Sequence, residues 1–329
     1  MKFVIFGAGG LGGFFGGKLA LRGPFDHAQG RPERSRMGGK DVWFVARGKH
    51  LAAMRANGLC VNSSEGQFAI QPGKMTDNPA EIGPVDVVLF CVKSYDTDSA
   101  AEQLAPILTE RTIVISLQNG VDNEEQIQKI IPAGTVYGGV AYIYSTITAP
   151  GVITETGGPK KIVFGAMRGA DDATRETARR ILDILIEAGI KAELTDDISS
   201  ALWNKFILMT SVGGLTALTR FTLGEILAVD ETRSLLTDAM REVEAIAKAR
   251  GMNIEAGYVD KVFRTLRKSD NSNRSSLYYD LIHEKPMEIE ALSGAVVRYG
   301  RALGIPTPIH KTIYGALLPY HLKHLGTKQ

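Results

Sequence analysis

The strongest constraint on the fold is a glycine-rich turn near the start of the chain. The apolar segment KFVIF (residues 2–6) runs directly into FGAGGLG, which places Gly7, Gly9 and Gly12 in G-x-G-x-x-G spacing. A buried strand followed by such a turn and a helix forms the phosphate-binding corner of doubly wound α/β domains. We therefore predict that the chain begins with a strand–turn–helix unit of this kind.

Each glycine has a distinct physical role in this interpretation. Gly7 permits the tight turn, Gly9 lets the backbone approach a pyrophosphate, and Gly12 lets the helix pack closely on the strand. The helix N-terminus then directs free N–H groups at the phosphates. A glycine-rich turn without a ligand is the alternative. The predicted dinucleotide-binding residues are Gly7, Ala8, Gly9, Gly10, Leu11 and Gly12.

Hydrophobic patterning divides the chain into two predicted domains. Continuous apolar runs at 2–6, 42–46, 85–92 and 112–117 are typical of strands buried on both faces of a parallel sheet. They alternate with predicted helices at 10–22, 48–57, 95–105 and 122–131, followed by strands within 135–166, a helix at 171–189 and a strand at 191–196. Helical periodicity then takes over at 198–218, 223–250, 255–268 and 286–303. We predict a Rossmann-type domain over 1–195 and an all-helical substrate domain over 196–329.

One segment does not fit this alternation. PFDHAQGRPERSRMGG (residues 24–39) separates the first helix from the second strand, where a βαβ unit normally turns within a few residues. Its prolines, glycines and arginines have no apolar period, so we interpret it as an inserted, exposed loop. The alternative is that its arginines contact a phosphate.

Composition excludes several classes of function. The net charge of +2 gives no indication of a nucleic-acid or membrane-surface partner. No apolar run is as long as the ~18 residues that a membrane span needs. The two cysteines, Cys60 and Cys91, do not form a CxxC pair, so we expect reduced thiols in a cytoplasmic protein. No metal site is predicted.

The end of the second predicted strand indicates which dinucleotide binds. Enzymes that use NAD place an acidic residue there to bind the ribose hydroxyls. Here the strand ends in VARGKH, and Arg47 occupies that position with Lys49 close by. A cation suits the 2′-phosphate of NADP(H), which is the predicted cofactor; the alternative is a solvated arginine.

Two polar residues follow other predicted parallel strands. Lys93 comes after VVLFCV, and Asn119 comes after TIVISLQ. Ligands of open α/β sheets bind outside the carboxyl ends of the strands, so both residues are candidates for the site. A surface lysine and an ordinary turn asparagine are the alternatives.

Lys205 and Glu288 are charged residues on predicted apolar helix faces. Lys205 is the only charged residue in the segment 198–219, and Glu288 shares its predicted face with Leu292. We predict that Lys205 lines an interdomain cleft, where partial burial lowers its pKa and lets it donate a proton to an anionic substrate. The alternatives are a snorkelling lysine and an acid favoured by the helix dipole.

Small polar side chains cluster just before Glu288. The segment NSNRSSLYYD (271–280) contains Asn273, Ser275, Ser276 and Asp280, whose groups suit a carboxylate or hydroxyl of a small substrate. A loop followed by a helix cap is the alternative.

Taken together, these segments resemble the ketopantoate reductase (2-dehydropantoate 2-reductase) family over nearly the whole chain outside 24–39. The segments that carry the resemblance are FGAGGLG, ARGKH, CVKSYDT, LQNG, LWNKF, SSLYYDLIHEKPMEIEALSG and GIPTPIHKTIYG. The resemblance implies NADPH-dependent reduction of a 2-keto acid, with ketopantoate as the favoured substrate and pantothenate and coenzyme A biosynthesis as its context.

The resemblance also implies roles for individual residues. Lys205 matches the family's catalytic lysine, and Glu288 matches its acidic partner near the nicotinamide ribose and the substrate. Asn273 and Ser276 match positions that contact the substrate, while Lys93 and Asn119 match cofactor-side and substrate-side positions.

The chain departs from the family after the lysine. Where members carry asparagines four and eight residues on, this chain has Met209 and Gly213. Another branched or bulkier 2-keto acid is therefore the alternative substrate, and an NADP(H)-binding sensor is the alternative that is not an enzyme. The long C-terminal helices could form a homodimer face or close an intramolecular core.

Overall fold

The computed structural model describes residues 1–21, 41–167, 169–266, 272 and 274–325, together with the backbone of 25–26 and 31–32. The chain forms two compact units. The first consists of Met1–Gln118 and Asn123–Ile198, and the second consists of Asn119–Asp122 and Ser199–Gln329. The sequence predicted domains over 1–195 and 196–329; in the structure the tetrapeptide Asn119–Asp122 groups with the helical unit.

The first unit alternates strands with helices in the predicted way. Its elements are β1 (Lys2–Phe6), α1 (Gly10–Ala20), β2 (Phe25–Asp26), β3 (Arg31–Pro32), β4 (Asp41–Val45), α2 (Gly48–Asn57), β5 (Leu59–Ser63), β6 (Gly66–Ile70), β7 (Met75–Thr76), β8 (Val87–Phe90), α3 (Thr97–Glu102), β9 (Ile113–Ser116), α4 (Asn123–Ile130), β10 (Thr135–Ala149), β11 (Val152–Ala166), α5 (Asp172–Glu187) and β12 (Lys191–Leu194). Short 3₁₀ turns lie at Pro79–Glu81, Ser94–Asp96 and Ala105–Ile107.

Apart from β2 and β3, which pair with each other, these strands form one large sheet, in the order β6-β5-β11-β10-β9-β8-β1-β4-β7, with β12 added beside β11. The central strands β10, β9, β8, β1, β4 and β7 are all parallel to their neighbours in this order. Antiparallel pairing occurs between β10 and β11 and between β5 and β6. The predicted parallel sheet is confirmed, and an antiparallel extension continues it on one side.

Both faces of the sheet are covered, as a doubly wound domain requires. Along β1, Phe3 and Ile5 belong to one buried cluster, which includes Phe14 and Phe15 of α1. Val4 and Phe6 belong to a second cluster, which includes Ala100 and Leu104 from the opposite layer. Alternate residues of one strand therefore enter two separate cores, which explains why its sequence is continuously apolar.

Several elements of this unit differ from the prediction. The β5–β6 hairpin was not predicted, because its strands mix polar and apolar residues and follow a helix directly. The helix predicted over 95–105 is broken into α3 and two 3₁₀ turns, and Pro106 lies in the second of these. Proline lacks the N–H that a continuing helix needs, so it ends the regular helix there. Most of the segment 24–39 lies outside the described residues.

The second unit is helical over its described residues. Its elements are α6 (Ile198–Thr219), α7 (Leu223–Ala228), α8 (Asp230–Ala249), α9 (Tyr258–Leu266), α10 (Ser276–Ile282), a π turn (Glu290–Gly294), α11 (Ala295–Leu303) and α12 (Pro308–Leu325). α6 packs on α12, where a side chain at Gly214 would collide with Ile313, and Trp203 of α6 lies against Tyr299 of α11.

Two predictions for this unit were wrong in detail, and its last helix was not predicted. The helix predicted over 223–250 is interrupted by the extended residue Val229, and Thr232 donates a hydrogen bond to the carbonyl of Ile226 at the end of α7. The helix predicted to begin at Pro286 begins at Glu290 instead, and α12 was not predicted.

Within the described part of the chain, no helix combines the length and the apolarity that crossing a bilayer demands. Both cysteines are free thiols, as predicted.

Candidate functional site

The glycine turn after β1 has the geometry that the motif predicts. Gly7 adopts φ of +101°, a conformation that residues with a side chain rarely adopt, and a Cβ there would lie 2.9 Å from the backbone of Cys91. The N–H groups of Gly7 and Ala8 donate to the carbonyl of Val45 at the end of β4, at 3.1 and 3.0 Å. The turn is therefore fixed by backbone contacts to β4 before α1 begins.

The next glycines divide between packing and open space. A Cβ on Gly12 would lie 2.2 Å from the carbonyl oxygen of Gly7, and one on Gly10 would lie 2.2 Å from that of Ser145. A Cβ on Gly9, by contrast, would meet no atom within 4 Å. Space at Gly9, beside the free N–H groups at the start of α1, is what a pyrophosphate requires.

His50 in α2 holds this turn from the side. The backbone N–H of Gly151 donates to Nδ1 of His50 at 3.1 Å, so Nε2 carries the proton and donates to the carbonyl of Ala8 at 2.9 Å. Burial lowers the pKa of His50 and favours this neutral form. The imidazole therefore ties the glycine turn to the β10–β11 connection.

Arg47 lies directly before α2, at the position predicted to select the dinucleotide. Its Nη2 donates to Oδ2 of Asp96 at 2.6 Å, while the Arg47 side chain remains 74% exposed. Asp96 ends the 3₁₀ turn that follows Lys93. The guanidinium is thus accessible to an anion, but Asp96 competes for it.

Lys93 follows β8 and Gly7 follows β1, and these strands are parallel neighbours in the sheet. Both residues therefore follow the carboxyl ends of their strands, at the same edge of the sheet. A hydrogen-bond chain fixes the loop after β8: Gln118 Nε2 donates to Thr97 Oγ1 at 2.8 Å, and that hydroxyl donates to the carbonyl of Ser94 at 2.8 Å.

Lys205, Asn119 and Glu288 are brought together in the second unit. Nζ of Lys205 donates to Oδ1 of Asn119 at 3.0 Å, and Nδ2 of Asn119 donates to Oε2 of Glu288 at 3.4 Å. The amide of Asn119 therefore bridges an ammonium group and a carboxylate, with its acceptor facing the cation and its donor facing the anion.

The surroundings make Lys205 an unusually acidic lysine. Burial of its ammonium group lowers the pKa from 10.5 to about 8, and the charge of Glu288 opposes part of this change. Glu288 is only 5% exposed. A lysine with such a pKa is charged at neutral pH and still gives up its proton far more readily than an exposed lysine.

Irregular backbone places Glu288 at this position. The residue lies just before the π turn, where the N–H of Leu292 donates to the carbonyl of Glu288 and that of Gly294 donates to the carbonyl of Ile289, five residues back. Such single π turns are frequent at functional sites. The sequence placed Glu288 inside a regular helix, and this local interpretation was wrong, because the regular hydrogen bonding begins only after it.

Comparison with known proteins identifies the family. Residues 3–169 match the family model described as ketopantoate reductase PanE/ApbA, and residues 197–321 match its C-terminal counterpart. The chain belongs to the ketopantoate reductase family. These proteins are oxidoreductases, and the two matched segments correspond to the two units of the structure.

Similarity to individual ketopantoate reductases extends over almost the full length. A 2-dehydropantoate 2-reductase of Mesorhizobium japonicum is 31% identical over 330 residues, covering 94% of each chain. The crystal structure of a 2-dehydropantoate 2-reductase from Geobacter metallireducens is 30% identical, with a TM-score of 0.84 over 97% of this chain and 99% of the other.

A different dehydrogenase shares the fold. The ternary structure of D-mandelate dehydrogenase with NADH and anilino(oxo)acetate has a TM-score of 0.83 over 98% of this chain and 99% of the other, at 20% identity. At that identity the likeness shows the fold alone.

The other candidate substrate residues lie in α6 and around the start of α10. Ser276 is exposed at the start of α10, and Asn273 lies outside the described residues. Ser275 caps α10 by accepting from the N–H of Tyr278 at 3.1 Å, which matches the alternative of a helix cap. Met209 is half-buried and Gly213 is buried in α6, one and two turns beyond Lys205.

Sequence reasoning missed three contributors to these sites: His50, Asp96 and Gln118. Each lies inside a segment that carried the family resemblance, ARGKH, CVKSYDT or LQNG. Their location within these segments was the only indication that the sequence offered. Each residue acts through a contact with a residue distant in the sequence, and a local sequence pattern does not show such contacts.

Proposed function

We propose that this chain is an NADPH-dependent reductase of 2-keto acids, with ketopantoate the first substrate to test and pantoate its product. The observation that carries the proposal is the Lys205–Asn119–Glu288 chain, in which a lysine with a pKa of about 8 is held by an amide and a buried carboxylate. The purely structural alternative, a snorkelling lysine, does not require a partner of this kind.

The first unit supplies residues that fit a dinucleotide. The glycine turn has open space at Gly9 and the free N–H groups of α1, and Arg47 offers an accessible guanidinium for a 2′-phosphate. When bound, NADPH supplies the hydride that reduces the keto carbon. Gly7 to Gly12 hold the pyrophosphate in this proposal, and Arg47 accounts for the preference for NADPH over NADH.

Lys205 supplies the proton in the proposed reaction. As the keto carbon accepts a hydride, negative charge develops on its oxygen, and Nζ of Lys205 donates a proton to give the hydroxyl group. Asn119 orients the ammonium through its 3.0 Å hydrogen bond. Glu288 keeps the lysine largely protonated before the transfer, because its charge raises the pKa that burial lowers.

Replacing Lys205 tests this proposal directly. Lys205→Ala should reduce kcat for NADPH-dependent reduction of ketopantoate by ~10² or more, since general acid catalysis contributes about that factor. NADPH affinity, measured by fluorescence titration, should change little. The matched control is Lys261→Ala, which removes an exposed lysine of the same unit that pairs with Glu255.

Near-normal turnover by Lys205→Ala would refute its role as proton donor. If the unaltered chain binds NADPH but turns over no 2-keto acid, the sensor alternative replaces the reductase.

A further inference from the structure

We propose that Met209 and Gly213 select the substrate, so that this chain prefers 2-keto acids with a bulky apolar substituent over ketopantoate with its terminal hydroxyl. The inference rests on the proposed function. The residues concerned follow the proton donor Lys205 along α6. Met209 contributes a thioether side chain, and Gly213 contributes none.

Helix geometry places these residues on the same side as the proton donor. Each step of four residues rises about 6 Å and turns about 40° around the axis. Gly213 therefore lies about 12 Å beyond Lys205 and about 80° around from it, on the same half of the helix. Val212 lies on the same side. A substrate with its keto oxygen at Lys205 and its substituent directed along α6 meets Met209 first and Gly213 next.

Gly213 faces room, whereas its neighbour does not. A Cβ on Gly213 would meet no atom within 4 Å, although the residue is buried. A Cβ on Gly214 would lie 2.8 Å from the side chain of Ile313. Of these two adjacent glycines of α6, only Gly213 therefore has room for an added methyl group.

Three hydroxyl groups of this region, those of Thr216, Ser275 and Ser211, are already paired with protein atoms. Oγ1 of Thr216 donates to Oγ of Ser275 at 2.7 Å, and Oγ of Ser275 donates to the carbonyl of Gly213 at 3.2 Å. Ser211 donates to the carbonyl of Ile207 at 2.9 Å. A substrate hydroxyl placed here would compete for these bonds, whereas an apolar group would not.

These observations predict the order of preference. A methylene that fits an apolar site is worth roughly 10-fold or more in kcat/KM. A hydroxyl that loses water without gaining a partner is disfavoured. Trimethylpyruvate, which is ketopantoate without its hydroxyl, should therefore be the better substrate, and phenylpyruvate should be accepted.

The experiment compares kcat/KM for ketopantoate, trimethylpyruvate and phenylpyruvate with NADPH, in the full chain and in two variants. In the unaltered chain, trimethylpyruvate should exceed ketopantoate by roughly 10-fold or more. The double variant M209N/G213N adds amide donors and should reverse this order. Gly213→Ala should lower kcat/KM for phenylpyruvate by roughly 10-fold, since one added methyl group narrows the space.

Folding is checked in the same variants. Gly213→Ala should leave the unfolding temperature unchanged or raise it, because alanine favours a helix and the added methyl group meets open space. The control Gly315→Ala makes the same change at an exposed, open position of α12 and should leave the substrate preference unchanged.

The outcomes separate this inference from the proposed function. Preference of the unaltered chain for ketopantoate over trimethylpyruvate, or a lowered unfolding temperature in Gly213→Ala, would overturn the inference and leave the reductase intact. Failure to reduce any of the three acids would overturn the proposed function itself.

Discussion

The pKa of Lys205 is set by two opposing effects on its charge. Burial of the ammonium group favours the neutral amine, and Glu288 favours the ammonium; burial is the larger effect, so the pKa settles at about 8. Asn119 contacts both side chains and keeps them within reach of one another. Replacing Glu288 should therefore lower the pKa of Lys205, and replacing Lys205 should remove the proton donor itself.

Glu288→Gln should move the alkaline limit of the reaction to lower pH. Without the carboxylate, only burial acts on Lys205, so its pKa should fall below about 8. Reduction requires the protonated lysine, so kcat/KM should decline as pH rises through that pKa, in the unaltered chain near pH 8 and in the variant earlier. Initial rates between pH 6 and pH 10 measure the shift.

Glu290→Gln is the matched control for this change. Glu290 lies two residues further on, is exposed, and pairs with Arg298 and Tyr314. Its variant should retain the original pH profile. If the pH dependence of kcat/KM is unchanged in Glu288→Gln, the carboxylate of Glu288 does not influence proton transfer by Lys205.

Arg47→Glu should weaken NADPH binding much more than NADH binding. A lost hydrogen bond between charged groups is worth about 1.5 kcal/mol or more, so the ratio of the two dissociation constants should shift by at least ~10-fold. Arg55→Glu serves as the control; Arg55 lies in α2, the helix that follows Arg47, and pairs with Asp77. Equal losses for the two dinucleotides would show that Arg47 does not bind the 2′-phosphate.

At the scale of elements, α1 owes its position to the absence of side chains. A Cβ on Gly16 would lie 2.5 Å from Ile5 and 2.8 Å from Phe44, both of which are core residues of the sheet. α1 lies this close to the strands because glycines face them. Its glycines were expected from the phosphate-binding motif only as far as Gly12, and those beyond it serve packing.

Gly16→Ala should therefore destabilise the protein by roughly 1–3 kcal/mol, the usual cost of forcing an extra group into a packed core. The measurement is the thermal unfolding temperature. Gly315→Ala, at an open position of another helix, should gain up to about 1 kcal/mol from helix propensity. If both variants unfold at the same temperature as the parent, the packing of α1 on the sheet tolerates a methyl group at Gly16, and the prediction is wrong.

Elements were predictable where a local pattern decides them. The continuous apolar runs of β1, β4, β8 and β9 were predicted within a few residues, because burial on both faces leaves a simple signature. The break at Val229 and the π turn before α11 were not predicted, since they depend on contacts such as that from Thr232 to Ile226. α10 was not predicted as a helix because it is short and begins in a polar segment.

At the scale of the whole molecule, the sequence predicted the two types of fold and the candidate residues, but not how those residues pair. The resemblance singled out Lys205, Asn119 and Glu288 separately, and only the structure shows that the amide of Asn119 bridges the other two. Asn119–Asp122 groups with the helical unit although it follows a strand of the first. This grouping depends on long-range contacts such as that between Asp122 and Tyr299, which sequence spacing does not encode.

Stability of the helical unit should depend on pH through His310. This residue is fully buried, Nε2 donates to the carbonyl of Ala239 at 3.2 Å, and Nδ1 accepts from Ser293 at 3.2 Å. Burial lowers the pKa of His310 from 6.5 to about 4. In the unfolded chain the histidine binds a proton below about pH 6.5, whereas in the folded chain it does so only below about pH 4. The free energy of unfolding should therefore fall as the pH decreases through this range, by about 3 kcal/mol at most.

Glu242 faces the same position and acts in the opposite direction. Its carboxylate accepts the N–H groups of Ile309 and His310, and burial raises its pKa, so the folded chain binds a proton on Glu242 more readily as the pH falls. A comparison with His310→Gln isolates the histidine, because glutamine can replace both hydrogen bonds without titrating.

The measurement is urea unfolding followed by the fluorescence of Trp203 in a Trp43→Phe background, since the chain has two tryptophans and Trp203 lies in the helical unit. Between pH 7 and pH 4, the parent should lose more free energy of unfolding than His310→Gln, even if the variant is less stable at pH 7. Parallel losses in the two proteins would assign the acid sensitivity to other groups.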